Sequence, residues 1–325
     1  GVVLSHRNIL ANCAQLRARV GFSSADVVLN VLPIFHAFGL TGGLYLPLLN
    51  GVATVCHPSP LHYRYIPEIA YARNATILFA TDTFLRGYAR AAHDTDFESL
   101  RFVFAGAEKL REDTRRQWAE RFGVRVLEGY GATECAPVIA VNTPIENRPG
   151  TVGKLLPGIH PHLEPVAGVE AGHRLLVSGD NVMKGYMTID APGQLDAPNG
   201  WYDTGDIVSF DADGYVTIQG RAKRFAKVAG EMVSLGAVEA LAERVRPDVR
   251  HAAVNLPDSR KGERILLLTE APDLDRAALL DAARAAGASD LQVPADIVHG
   301  QVPALGTGKT DYAQAARLLA TETAA

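Results

Sequence analysis

Five short apolar runs, at residues 27–32, 52–56, 76–79, 102–105 and 124–127, are separated by stretches of helical periodicity around 40–49, 64–73, 82–92 and 111–122. Continuous apolar runs read as strands buried on both faces, and strands that alternate with helices pair in parallel. This order restricts the first part of the chain to an α/β layer structure with a mainly parallel sheet. Ahead of it, Ser5 is placed to cap a helix whose apolar face is Ile9, Cys13, Leu16 and Val20, with Gly21 positioned to end it. From residue 27 to 63 there is no Asp, Glu, Lys or Arg, but Asn30, Pro33, His36, Gly39, Gly42, Gly43, Pro47, Asn50 and Gly51 interrupt the stretch. A membrane span does not tolerate that many interruptions, so the segment reads as buried core.

After Cys135 the texture changes to Gly and Pro punctuation with brief strands at 174–177, 207–210 and 215–218, a β-rich part. From about residue 222 a third texture predicts a helix around 236–246, strands around 251–256 and 264–269, a helix around 275–286, a strand at 296–298 and a closing helix from about 311. The expected organisation is a large lobe over 1–221, α/β to 134 and β-rich over 135–221, and a small α+β lobe over 222–325. A length of 325 residues accommodates both. The formal charge of −4 and pI near 6.2 provide no basic footprint, so no nucleic-acid partner is expected. Cys13, Cys56 and Cys135 lie far apart without a paired motif, which argues against a thiolate zinc site and for a reducing, cytoplasmic address.

Five segments concentrate Gly, acid and base where a strand ends or a loop begins, the place at which α/β proteins hold ligands. In Phe104-Ala105-Gly106-Ala107-Glu108-Lys109, small residues let a flat ring approach the backbone; a tight turn explains them equally well. In Glu128-Gly129-Tyr130-Gly131-Ala132-Thr133-Glu134, Thr133 offers a hydroxyl to a phosphate and Glu134 is a hard oxygen ligand suited to Mg²⁺. In Trp201-Tyr202-Asp203-Thr204-Gly205-Asp206, Asp206 can accept from a vicinal diol such as a ribose, although an Asx-type turn before a strand is the simpler account. Residues 220–231 carry Arg221, Lys223, Arg224 and Lys227 at the expected lobe boundary. The segment 302–310 resembles a phosphate-binding GxxxxGK[ST] loop, but Pro303 stands where glycine is required, which leaves Lys309 on a glycine-flanked loop.

Taken in this order, with Leu32-Pro33-Ile34-Phe35-His36-Ala37-Phe38-Gly39 upstream, the segments resemble the adenylate-forming superfamily of acyl-CoA synthetases, luciferases and peptide-synthetase adenylation domains. Residues 220–235 and 303–312 look most like the acyl-[acyl-carrier-protein] synthetase half of bifunctional 2-acylglycerophosphoethanolamine acyltransferases. In that family a phosphate loop ending in Pro-Lys-Gly precedes Val-Val-Leu-Ser-His, so Gly1 is expected to be its last glycine and the large lobe here to be partial.

The resemblance implies ATP-dependent activation of a fatty acid to an acyl-adenylate with Mg²⁺, then transfer to a phosphopantetheine thiol, of acyl carrier protein first and of CoA as the alternative. Lys309 is then the cation bridging α-phosphate and carboxylate, Glu134 the metal ligand, Thr133 a phosphate donor and His36 a residue at the carboxylate entrance. Gly106, Ala107 and Glu108 flank adenine, Gly129, Tyr130 and Gly131 wall the acyl end, and Asp206 holds the ribose beside Arg221. Lys223 is the hinge, Gly230 and Glu231 lie on the thioester-forming face, and Arg224 and Lys227 are candidates to meet an acidic carrier helix. No transmembrane segment is expected, with the complete protein at the inner face of the plasma membrane as an alternative address. A non-catalytic nucleotide- or acyl-binding remnant is the alternative from another functional class.

Overall fold

The computed structural model describes residues 1–169, 172–258, 262–305 and 310–322. They divide into two compact units, one of residues 1–163, 175–204 and 210–218, the other of residues 164–174, 205–209 and 219–325.

The first unit is built on a seven-stranded sheet with strand order Ala53–Cys56, Val27–Asn30, Ile77–Ala80, Phe102–Ala105, Val126–Gly131, Val138–Val141 and Lys154–Leu155. The pairings among the first five are parallel, and the last two strands join antiparallel. The all-apolar runs at 77–80 and 102–105 hold its centre; Ile77, Leu78 and Val103 are fully buried. Helix His6–Arg19 starts at Ser5 with a capping box that pairs Ser5 and Asn8, and it ends at Val20, one residue before the expected Gly21. The expected helix over 40–49 is instead a composite of α-helix Ala37–Leu40, a π-helical turn Thr41–Tyr45 and α-helix Leu46–Leu49. The packing there is close: a Cβ on Gly43 would stand 2.1 Å from Asn30 and one on Gly39 2.4 Å from the Pro33 carbonyl, so this segment passes the end of strand Val27–Asn30 without room for larger residues. Helix Asp82–Ala91 packs on helix Glu112–Phe122 around Trp118, which is fully buried, stacks on Phe97 and donates from its indole to the Leu85 carbonyl at 3.1 Å.

Strands Val216–Arg221, Tyr202–Phe210, His173–Ser178 and His160–Pro165 follow one another in a four-stranded sheet. The strand expected at 207–210 begins five residues earlier, because pairing overrides the weak strand preference of Asp203, Gly205 and Asp206.

The second unit carries a sheet with strand order Glu231–Ser234, Phe225–Val228, Gly262–Thr269 and His251–Asp258, with Asp296–His299 parallel to Gly262–Thr269. Strand alternation divides its apolar residues into two cores. Ala253, Ile265 and Leu267 pack with Leu241 of helix Leu235–Val245 and Leu279 of helix Arg276–Ala286, while Ala252, Val254, Leu266 and Leu268 pack with Ala315 and Leu319 of helix Tyr312–Glu322. The hairpin between residues 228 and 231, not anticipated from sequence, turns at Ala229 and Gly230, both at positive φ as tight hairpins require.

Trp118→Ala removes the largest fully buried side chain among the described residues and with it the indole bond to the Leu85 carbonyl. The expected cost is about 3–5 kcal/mol, read as a lower urea midpoint at unchanged slope.

Candidate active site

The strand Val126–Gly131 does not stop at residue 127; Glu128 continues it in parallel with Ala105, and Gly129, Tyr130 and Gly131 pair antiparallel with Val138–Val141. This second Gly-rich segment is therefore strand rather than loop, and the loop proper is the turn 132–137. The reversal is tight: a Cβ on Gly131 would lie 2.2 Å from the Pro137 carbonyl oxygen. Thr133 and Glu134 occupy a single 3₁₀ turn, Thr133–Cys135, at that corner. Three successive carbonyls of the turn are each held by a donor from elsewhere in the fold. Met183 N–H donates to Glu134 O at 2.8 Å, Asn181 Nδ2 to Cys135 O at 2.8 Å and Thr41 Oγ1 to Ala136 O at 2.9 Å. The Glu134 carboxylate accepts from the Tyr186 hydroxyl at 2.6 Å. Burial and that carboxylate push the Tyr186 phenol up to about 12.

The loop after strand Phe102–Ala105 bends at Ala107, which sits at φ 66°. A Cβ on Gly106 would stand 3.2 Å from the Phe38 ring and 3.5 Å from the Gly129 carbonyl oxygen, so this fold brings the 106 loop, the 129–131 strand end and the residues after His36 together. His36 caps helix Ala37–Leu40, its Nδ1 accepting from Phe38 N–H at 3.3 Å. Tyr130 is buried, whereas Gly131 and Thr133 are exposed. Glu108 has a structural partner: its Oε2 accepts from Thr83 N–H at 3.1 Å and Thr83 Oγ1 at 2.8 Å in the first turn of helix Asp82–Ala91. Glu128, beside this loop, is held by the backbone amides of Leu110 and Gly150, and burial raises its pKa above the usual carboxylate range.

In the second unit Asp206 is buried within strand Tyr202–Phe210, and Arg221 Nε lies 3.1 Å from its Oδ1. The turn that sequence favoured for this segment is absent; Gly205, at φ 70°, bends the strand just before the carboxylate. Lys223 is exposed in the single turn Ala222–Arg224, and Gly230 and Glu231 are exposed at the hairpin. Arg224 corrects an expectation: it is not a surface cation awaiting a carrier. Its Nη2 pairs with Glu239 Oε1 at 2.7 Å, its guanidinium lies 3.5 Å from the Tyr312 ring centroid, and its side chain is 18% exposed. Lys227 is exposed. Lys309 lies outside the described residues.

Among the described residues no three His, Cys, Asp or Glu side chains gather as an all-protein metal site. Mg²⁺ needs only one or two carboxylates when substrate phosphates supply the remaining oxygens, and Glu134, on a fixed corner, has that chemistry. Sequence reading missed Tyr186 and Glu239, which stand outside the segments singled out, and gave Tyr312, inside the segment 303–312, no role of its own.

A family model described as AMP-binding enzyme matches residues 1–187, and the chain belongs to this family of adenylate-forming proteins. The long-chain-fatty-acid–CoA ligase of Salmonella typhimurium is 30% identical over 285 residues, which cover 84% of this chain and 50% of the relative. The oxalate–CoA ligase of Arabidopsis thaliana is 30% identical over 278 residues, 82% of this chain and 54% of the relative. The chain thus spans about half the length of the curated relatives it matches. Among solved structures, ATP-bound MatB from Rhodopseudomonas palustris superimposes with a TM-score of 0.85 at 25% identity, over 98% of this chain and 65% of that one. The Bacillus subtilis o-succinylbenzoate CoA synthetase in complex with AMP shares the fold, with a TM-score of 0.83 at 22% identity. Among the described residues no helix is long and apolar enough to cross a membrane.

Two predictions follow from these contacts. Because burial raises Glu128 in the folded state, the contribution of this group to folding stability is fully present below the ordinary value of 4.5 and is lost as pH rises through the folded-state value. Glu128→Gln removes that decline, so denaturant midpoints of the two proteins measured from pH 5 to 8 should diverge in the variant's favour toward pH 8. Arg224→Ala leaves the Glu239 carboxylate buried without its partner and should cost about 3–5 kcal/mol in the same assay.

Proposed function

We propose that the protein activates a carboxylic acid, of the fatty acid class, with ATP to an acyl-adenylate and then transfers the acyl group to a phosphopantetheine thiol. The observation that carries this reading is the fixed Thr133–Glu134 corner, at the end of the strand whose Gly129 meets the Gly106 loop, in a chain of the AMP-binding enzyme family. The names of the long-chain-fatty-acid–CoA ligase relatives support the substrate class.

In the first half-reaction a carboxylate oxygen attacks the α-phosphorus and pyrophosphate leaves, so charge grows on the α-phosphate oxygens. The requirement is for donors and cations already in place, not for a base. We assign Lys309 as the cation between α-phosphate and carboxylate, Thr133 as a phosphate donor, and Glu134 as the residue that holds Mg²⁺. The ion, when bound, adds positive charge at the phosphate oxygens. Gly106, Ala107 and Glu108 would border the adenine, with Glu108 acting through the loop it anchors to Thr83. Asp206 would accept from the ribose hydroxyls, its orientation set by Arg221. Gly129, Tyr130 and Gly131 would wall the acyl group, with His36 near its carboxylate end. Lys223 is the proposed hinge, at the junction of a large lobe over 1–221 and a small one over 222–325, and Gly230 and Glu231 would face the thiol in the second half-reaction.

For the acceptor, the relatives' names favour CoA, while the segments 220–235 and 303–312 favour acyl carrier protein. Lys227 is the exposed cation that an acidic carrier would meet. The test is pyrophosphate release with ATP, Mg²⁺ and a panel of fatty acids, followed by acyl transfer to CoA and to holo acyl carrier protein in parallel. Release that depends on the acid and falls by about 10²–10³ in kcat on Lys309→Ala is expected. Absence of release with every acid sinks the ligase reading in favour of a nucleotide- or acyl-binding role. Loss of transfer to the carrier alone on Lys227→Glu would identify the carrier as acceptor.

A further inference from the structure

The group that holds the Glu134 carboxylate lies 52 residues away in sequence. Residues 183–186 grip Glu134 twice: Met183 N–H donates to its carbonyl at 2.8 Å and the Tyr186 hydroxyl to its Oε1 at 2.6 Å. The second distance is at the short end of the range for O–H···O bonds. Tyr186 is itself fixed by backbone pairing. Val2 opposes Tyr186 and Val3 opposes Gly185 in a two-stranded ladder, with Lys184 N–H donating to Val3 O at 2.9 Å and Met187 N–H to Gly1 O at 2.8 Å. With Asn181 and Thr41 holding the next two carbonyls, backbone and side chain of the Glu134 corner are both immobilised before any ligand arrives.

From this geometry we propose that Tyr186 is a positioning residue for the metal carboxylate: its hydroxyl occupies Oε1 and presents Oε2 to the cation. The proposal rests on the reading of Glu134 as the Mg²⁺-holding residue. Groups that orient a metal ligand in this way are worth about 10–100-fold in metal affinity. Tyr186→Phe deletes the hydroxyl alone, retaining the ring and the ladder, which is made of backbone.

The experiment measures binding rather than turnover. Mn²⁺ serves as the probe, titrated into the purified protein with saturating ATP and followed by the electron paramagnetic resonance signal of free Mn²⁺. Wild type, Tyr186→Phe, Glu134→Gln and the double variant are compared below the lowest of their four melting temperatures. The expected result is an apparent Mn²⁺ Kd raised about tenfold or more by Y186F, raised further by E134Q, and no higher in the double variant than in E134Q. A Y186F value equal to wild type overturns the proposal while leaving the role of Glu134 intact. Losses that multiply in the double variant also overturn it, because Tyr186 would then act through something other than Glu134. An E134Q value equal to wild type removes the metal role of Glu134, and the proposal with it. If Y186F does not fold, Tyr186→His, which retains a ring donor of shorter reach, takes its place. Its Kd must then lie above wild type, and a wild-type value counts against the assignment.

Discussion

A single missing methyl group permits the chain reversal on which the first unit depends. At Gly131 a Cβ would meet the Pro137 carbonyl oxygen at 2.2 Å, well inside contact, and this is where a parallel sheet acquires its first antiparallel neighbour. The consequence for chemistry is immediate, because the corner so formed carries Thr133 and Glu134. A looser connection would let those side chains wander. Instead the corner is closed by its own backbone, with Ala132 N–H donating to Pro137 O at 2.9 Å, and then clamped from outside by Met183, Asn181 and Thr41. Under the proposed function, order built in before binding would let these groups act on a developing charge without reorganisation.

The second unit solves a different problem. A sheet with helices on both faces needs apolar residues on both faces, and consecutive residues of its central strands supply them. Ala252, Val254, Leu266 and Leu268 serve one core, Ala253, Ile265 and Leu267 the other. That continuous apolar texture is why the strands around 251–256 and 264–269 are readable in the sequence.

Legibility followed periodicity. The apolar runs at 77–80 and 102–105 and the helices at 82–91 and 112–122 were readable because their patterns span several turns or a full strand. The π-helical turn at Thr41–Tyr45 was not; the close approach of Gly43 to Asn30 there is a contact between residues with no periodic relation. Asp206 was legible as an acid of interest, but the strand around it was not, because that strand is held by pairing rather than by propensity. The Gly106, Gly129 and Glu134 segments stood out by composition. Their supports did not: Tyr186 reaches Glu134 across 52 positions and Arg224 meets Tyr312 across 88, distances over which local spacing carries no signal.

The Arg224 contacts tie together elements far apart in sequence. Its guanidinium pairs with the Glu239 carboxylate, lies over the Tyr312 ring and donates to the Ala253 carbonyl at 3.3 Å. Residue 224 is therefore fastened at once to helix Leu235–Val245, strand His251–Asp258 and helix Tyr312–Glu322, and one side chain serves as a rivet through three elements of the second unit.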